Sequence, residues 1–223
     1  MPKHVVAPGE GVSSIADAYG FFPLTLWNHP ENARLKAERE DPNILAPGDV
    51  VFIPDKRVRQ EDVATDDVHR FVKRGTPALL RLQVFVAGAP QREQDYELRI
   101  DGVIRRGRTD ADAVLEETVP PAAKLAILEI GPARTRFEIR IGHVDPLDLQ
   151  RGVQHRLGNL GFVCGDEAST RAAIAAFQRR CGLPETGDFR DPQLLAALRR
   201  YHDEREPLPA AGTSGRLWRD EPL

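Results

Sequence analysis

The sequence predicts an α+β protein made of several small domains in series: a short strand-helix-helix-strand unit, a central antiparallel β-sandwich and a C-terminal three-helix bundle. Three observations carry this. Apolar residues recur at helical spacing near both ends, they alternate with period two in the middle, and charged or proline-rich stretches separate the segments. The 223-residue length is compatible with one large domain or two to three small ones, and the 18 prolines and 18 glycines, spread along the chain, favour many short elements.

Residues 1–54 form the first expected domain. "HVV" and "VVFIP" read as its outer strands. Between them Val12, Ile15, Ala16 and Tyr19 make a helical stripe that ends at Gly20, a residue suited to a left-handed C-cap. A second helix starts at Pro23, which lacks only an amide hydrogen that a first turn leaves unused, and runs through Leu26 and Trp27. The charged "ENARLKAERED" either continues helically or ends in a solvated turn, and "NILAPGD" turns the chain into the last strand. The segments "HVVAPGEGVSSIADAYG", "LW" with Asn28, and "ILAPGDVVFIP" together resemble a LysM module. That resemblance implies binding of N-acetylglucosamine-containing glycans such as peptidoglycan, in a shallow groove between the first strand-helix connection and the second helix-strand connection. It places Gly9, Glu10 and Gly11 on one wall and Asn43, Ile44 and Leu45 on the other. Glu10-Gly11 stands where the family usually carries Asp-Thr.

Residues 55–67 are charged and aperiodic, and read as a linker. Over 68–145 the alternation Leu80, Leu82, Val84, Val86, followed by "YELRID", "LAILEI" and "FEIRI", predicts the antiparallel sandwich. Its "DG" and "TDADA" turns resemble those of immunoglobulin-like and transthyretin-like modules, with Ala113 in place of the usual glycine.

Residues 146–206 return to helical spacing. Leu149, Val153, Leu157 and Leu160 form one stripe; Ile174, Phe177 and Cys181 another; Leu194, Leu195 and Leu198 a third. Gly182 is a C-cap candidate, and Asp191-Pro192 opens the last helix. "AFQRRCGLPETG" is similar to the peptidoglycan-binding-domain three-helix fold, although the link "VCGDEAS" replaces the longer glycine-rich turn of that family. Residues 207–223 read as an extended tail in which Leu217 and Trp218 could dock. The whole arrangement is similar to accessory proteins of contractile injection machinery of the type VI secretion kind, where spike or effector proteins would be the partners.

The same residues constrain function. A net charge of -3 supplies no clustered basic face for nucleic acid, and no apolar run reaches membrane-span length. "MPKHVVAPGEGV" lacks a secretory apolar region, so cytoplasmic residence at synthesis is expected, with any delivery to the periplasm or exterior by a non-classical route. No enzyme motif is present, and no cofactor or metal is expected. Cys164 would need a base such as His155 to act as a nucleophile; the simpler reading makes Cys164 and Cys181 small apolar residues at helix ends, free to oxidise together only if geometry allows. The expected function is therefore non-catalytic glycan binding, with an adaptor or cargo role in injection machinery as the alternative.

Overall fold

The structure, a computed structural model, describes residues 3–56, 68 and 77–209. Most of the expected linker and the tail beyond Pro209 lie outside the described residues. The fold is mixed α+β with antiparallel sheets, and the chain divides into two compact units, residues 1–143 and 144–223.

In the first unit β1 (Lys3–Val5) pairs antiparallel with β2 (Val50–Phe52). Between them lie α1 (Val12–Tyr19), α2 (Pro23–Trp27), a 3₁₀ turn at Pro30–Asn32 and α3 (Ala33–Glu38). Thus the charged stretch does continue helically, and then turns at Arg39. Its i,i+4 pair Arg34–Glu38 lies on the solvent face while Leu35 supplies the buried contact. Val12, Ile15, Leu26, Trp27, Leu35, Val51 and Ile53 share one core. Two polar braces fix this unit. Asn32, fully buried, donates from Nδ2 to the Leu26 and Phe52 carbonyls at 2.8 and 3.0 Å and accepts the Phe52 amide at 2.7 Å. Arg39 meets the Asp49 carboxylate two-pronged at 2.8 and 3.1 Å, and Asp49 also accepts the Ala46 amide, so the end of α3 is tied to the "APGD" turn.

The same unit contains a four-stranded antiparallel sheet, in the order β10-β9-β6-β7, from β6 (Asp95–Ile100), β7 (Val103–Arg108), β9 (Leu125–Ile130) and β10 (Thr135–Arg140). A separate ladder pairs β3 (Ala78–Gln83) with β8 (Val114–Val119). The alternating residues Tyr96, Leu98 and Ile100, with Ala126, Leu128 and Ile130, face one core shared with Leu115 and Val119. The strand expected to run on through Val84 and Val86 stops at Gln83. Val84 instead donates to the Ala113 carbonyl and accepts from Gln91, and Phe85–Val86 (β4) folds back on Ala89–Pro90 (β5). At the "TDADA" turn Asp110 accepts the amides of Asp112 and Val114, and Ala113 holds φ +62°, the left-handed geometry for which a glycine is more usual.

The second unit contains α4 (Gln150–Asn159), α5 (Glu167–Cys181) and α6 (Pro192–Leu198), continued by a π-helical turn at Arg199–Asp203. Val153, Leu157, Ile174, Phe177, Leu194 and Leu198 are buried in one core. Leu149, placed in the first stripe by spacing, is instead the exposed N-cap of α4, because the helix begins one residue later. Gly152 sits inside α4 for a reason of space: a Cβ there would lie 1.9 Å from the Pro146 carbonyl oxygen, so only glycine lets the incoming chain cross the helix.

Candidate functional site

The two connections assigned to the groove are brought together in the first unit. After β1 the chain turns through Ala7–Gly11, pinned at its base by Val6 N–H on the Asp49 carbonyl and Gly48 N–H on the Val6 carbonyl, both at 2.8 Å. The second connection, Asp41–Leu45, is shaped by Asp41, whose carboxylate accepts the Asn43 amide at 2.7 Å. The two are sewn directly to each other. Val12 N–H reaches the Pro42 carbonyl at 2.8 Å, and Ser13 N–H reaches Asn43 Oδ1 at 3.1 Å, so Asn43 supplies part of the capping that Gly11 cannot. A Cβ on Gly11 would come within 2.7 Å of Asn43 Cα. This contact explains why a glycine follows Glu10.

Glu10 is the charged member of the site. Its carboxylate accepts the Ala7 amide at 2.9 Å and lies 2.7 Å from His4 Nε2. Burial pushes this carboxyl up, but the Ala7 N–H, His4 and the neighbouring Lys124 ammonium together hold it below the ordinary value. His4 is fixed on its other side, with Nδ1 3.4 Å from the Tyr19 hydroxyl. Across the turn, the Lys124 ammonium donates to the Gly9 carbonyl.

Of the expected groove residues, Gly9, Glu10 and Ile44 are partly exposed and Asn43 is exposed, whereas Gly11 and Leu45 are buried. Leu45, expected on the groove wall, is buried at 4% exposure and begins the Leu45-Ala46 pair that feeds β2, so what it can offer a ligand is its backbone. What Gly9, Glu10, Asn43 and Ile44 offer chemically is a rim of backbone groups, one partly exposed carboxylate, one amide side chain and one aliphatic side chain. Such a surface suits acetamido and sugar recognition and contains no nucleophile-base pair.

The second unit holds the groups that looked reactive in sequence. Cys164 and Cys181 are free thiols. Burial pushes both up, Cys181 to about 11, which lowers the thiolate fraction on which nucleophilic attack depends. His155, the candidate base, accepts the Asp145 amide on Nδ1 at 3.3 Å. Asp166 is the N-cap of α5, its carboxylate bonded to the Ser169 amide and hydroxyl at 2.8 and 2.6 Å. A cleft of about 140 Å³ is lined by Cys181, Leu183, Ala196, Ala197, Arg200 and Tyr201. Beside it Arg156, with its side chain 3% exposed, binds both Asp203 oxygens at 2.9 and 3.1 Å and donates to the Asp145 and Gly152 carbonyls. His202 is held between Asp203 at 2.7 Å and the Asn159 amide at 2.9 Å. Among the described residues, no group of three or more His, Cys, Asp or Glu could hold a metal ion, and no helix is long and apolar enough to cross a membrane.

The "QRRCGLPETG" signature has a structural explanation. Gln178, fully buried, donates to Thr186 Oγ1 at 2.7 Å and Asp191 Oδ2 at 2.9 Å and accepts the Gly187 amide at 3.1 Å. Thr186 closes the ring on Asp191 at 2.8 Å, and Asp191 caps α6 through the Gln193 amide. Sequence reading missed Gln178, Asn32 and Lys124. For Gln178 the signal was partly present, since the motif contains two of its three partners, Thr186 and Gly187, and Asp191 follows four residues on; Asn32 and Lys124 act on residues 20 and 115 positions away. Compared with known proteins, the chain matched no family model, no curated protein and no solved structure.

Proposed function

We propose that the chain is a non-catalytic binding protein whose LysM-like N-terminal module recognises an N-acetylglucosamine-containing glycan such as peptidoglycan on the rim formed by Gly9, Glu10, Asn43 and Ile44. The observation that carries this is the direct stitching of the two connections, through Gly11 against Asn43 and Ser13 N–H on Asn43 Oδ1. A rim fixed before ligand arrives avoids the ordering cost of two free loops. Residues 77–141 are read as the β-sandwich spacer. The C-terminal helices are read as a peptidoglycan-binding-like bundle whose signature residues serve folding, since the Gln178, Thr186 and Asp191 side chains are spent on one another. Glycan contact is thus assigned to the first module alone. Pull-down with purified peptidoglycan sacculi tests this: recovery in the pellet is expected, and loss of pelleting in an Asn43→Ala, Ile44→Ala double variant ties it to the rim. Complete recovery of the unaltered chain in the supernatant refutes it.

A second reading, an adaptor or cargo of contractile injection machinery that uses the same folds for protein docking, is favoured by the exposed apolar side chains of the first module. Phe22, the N-cap of α2, and Leu24, in its first turn, are 63% and 66% exposed, an uncommon place for two large apolar groups. Co-purification with spike-tip proteins, abolished by Phe22→Ser with Leu24→Ser while sacculus binding is absent, would establish that reading instead.

A further inference from the structure

The register of the four-stranded sheet sets a charged group against the glycan rim. Leu125 pairs with Arg140 at the open end of the β9–β10 ladder, and Ile141 N–H bonds the Lys124 carbonyl at 2.9 Å. Lys124 and Gly142 therefore leave the sheet side by side, and both meet the Ala7–Gly11 turn. A Cβ at Gly142 would lie 3.2 Å from the Gly9 carbonyl oxygen, and a Cβ at Gly9 would lie 3.6 Å from Lys124 Nζ. The Lys124 side chain is otherwise exposed. An ammonium has three donors, and among the described residues the hydrogen bond given for this one goes to the Gly9 carbonyl. The Glu10 carboxylate, which feels the Lys124 charge, is about three-quarters covered and already occupied by His4 and the Ala7 amide. The rim thus carries a cation with two spare donors, contributed by a segment 115 residues away.

We propose that Lys124 is a further ligand-binding residue, which makes the rim select a glycan bearing carboxylates beside its acetamido groups over a neutral N-acetylglucosamine polymer. This rests on the glycan reading above. The chemistry is that of an exposed charge pair, screened by water, so the preference it adds is about two- to five-fold and shrinks as salt rises.

Calorimetric or NMR titration of the full chain with two probes tests it: neutral chitohexaose, and a GlcNAc–MurNAc oligosaccharide with free lactyl carboxylates. The unaltered chain is expected to prefer the anionic probe at low salt. Lys124→Met should lose that preference by weakening the anionic probe alone, and Lys124→Arg should keep it. Because Lys124 is a surface side chain, the Met variant should fold, as circular dichroism would verify. Equal affinity for both probes in the unaltered chain overturns the proposal and leaves the glycan reading standing. Tighter binding of both probes by Lys124→Met also overturns it, since Lys124 would then be a cap competing with ligand for the Gly9 carbonyl. Binding of neither probe by any variant removes the glycan reading, and the selectivity with it.

Discussion

Replacing Gln178 by alanine should cost the second unit about 3 to 5 kcal/mol. Three hydrogen bonds, at 2.7, 2.9 and 3.1 Å, converge on this fully buried amide. At about 1 kcal/mol net for each, they supply about 3 kcal/mol, and the void left by the missing amide adds to the loss. Gln178→Leu keeps the volume but strips the Gly187 N–H of its acceptor, so about 2 to 3 kcal/mol is expected. Gln178→Glu sets a carboxylate against Asp191, 2.9 Å from where the amide nitrogen stood, and should be at least as damaging at neutral pH. A single unfolding free energy is ill-defined for a chain of two units, so hydrogen exchange resolved by segment is the right measurement. A loss of 3 kcal/mol corresponds to roughly 150-fold faster exchange in α4, α5 and α6. The β6–β9 strands should be unaffected. If α5 and α6 keep protection within about five-fold of the unaltered chain, the Gln178 network is not what braces these helices, and the structural explanation of the "GLPETG" signature fails.

The remaining expectations follow from other contacts. Gly152→Ala forces a methyl to 1.9 Å from the Pro146 carbonyl, and should cost at least about 3 kcal/mol, read as lost protection in α4. Asp203 is pushed up by burial but held below the ordinary value by His202 and Arg156. Its lowered folded value means the stabilisation is complete above the unfolded carboxylate pKa of about 3.9 and is lost as pH falls through the folded value. An acid titration followed by exchange in α4 should show this loss, and Asp203→Asn, about 3 kcal/mol less stable at pH 7, should lack it. Tyr96, raised to about 12 by burial and by its 2.8 Å bond to Glu117, stabilises fully below the unfolded tyrosine value near 10. That contribution disappears as pH rises through about 12, and ultraviolet difference titration should find one tyrosine ionising late, absent in Tyr96→Phe. Alkylation at pH 8 should modify Cys164 well before Cys181, whose thiol is the more buried and is raised to about 11.

The elements that local chemistry dictates were legible in the sequence. Val12, Ile15 and Ala16 with Gly20 bound α1, Pro23 opens α2, and Asp191-Pro192 opens α6. What was not legible depended on partners distant along the chain. Val84 continues the alternation of Leu80 and Leu82, and nothing in that pattern announces that its amide will bond Ala113 and end the strand. Asn32 sits in a charged run that suggests solvent, yet its burial is made possible by Leu26 and by Phe52, 20 residues on. Leu45 presents the opposite case. The resemblance placed it in a groove, while its own apolar character, beside Ala46 and ahead of β2, argued for the core in which it lies.

The candidate rim illustrates how these two kinds of information combine. Gly11 reads in isolation as a weakened helix start, since it has no side chain to cap α1. Its value appears only against Asn43: the missing Cβ admits the second connection, and Asn43 Oδ1 returns a cap to the Ser13 amide. A residue larger than glycine would separate the connections and remove the cap together, so Gly11→Thr, although it adds a hydroxyl able to cap a helix, should here destabilise α1 rather than strengthen it. The nearest atom to such a side chain is the Asn43 Cα, which every residue carries, so no smaller side chain at position 43 relieves the clash. Backbone freedom is not the constraint, because Gly11 has φ -134°, an extended value that threonine and alanine adopt without strain, so Gly11→Ala and Gly11→Thr should both lose protection in α1. Unchanged protection of α1 in Gly11→Ala would mean that the close approach of the two connections is not what requires glycine there.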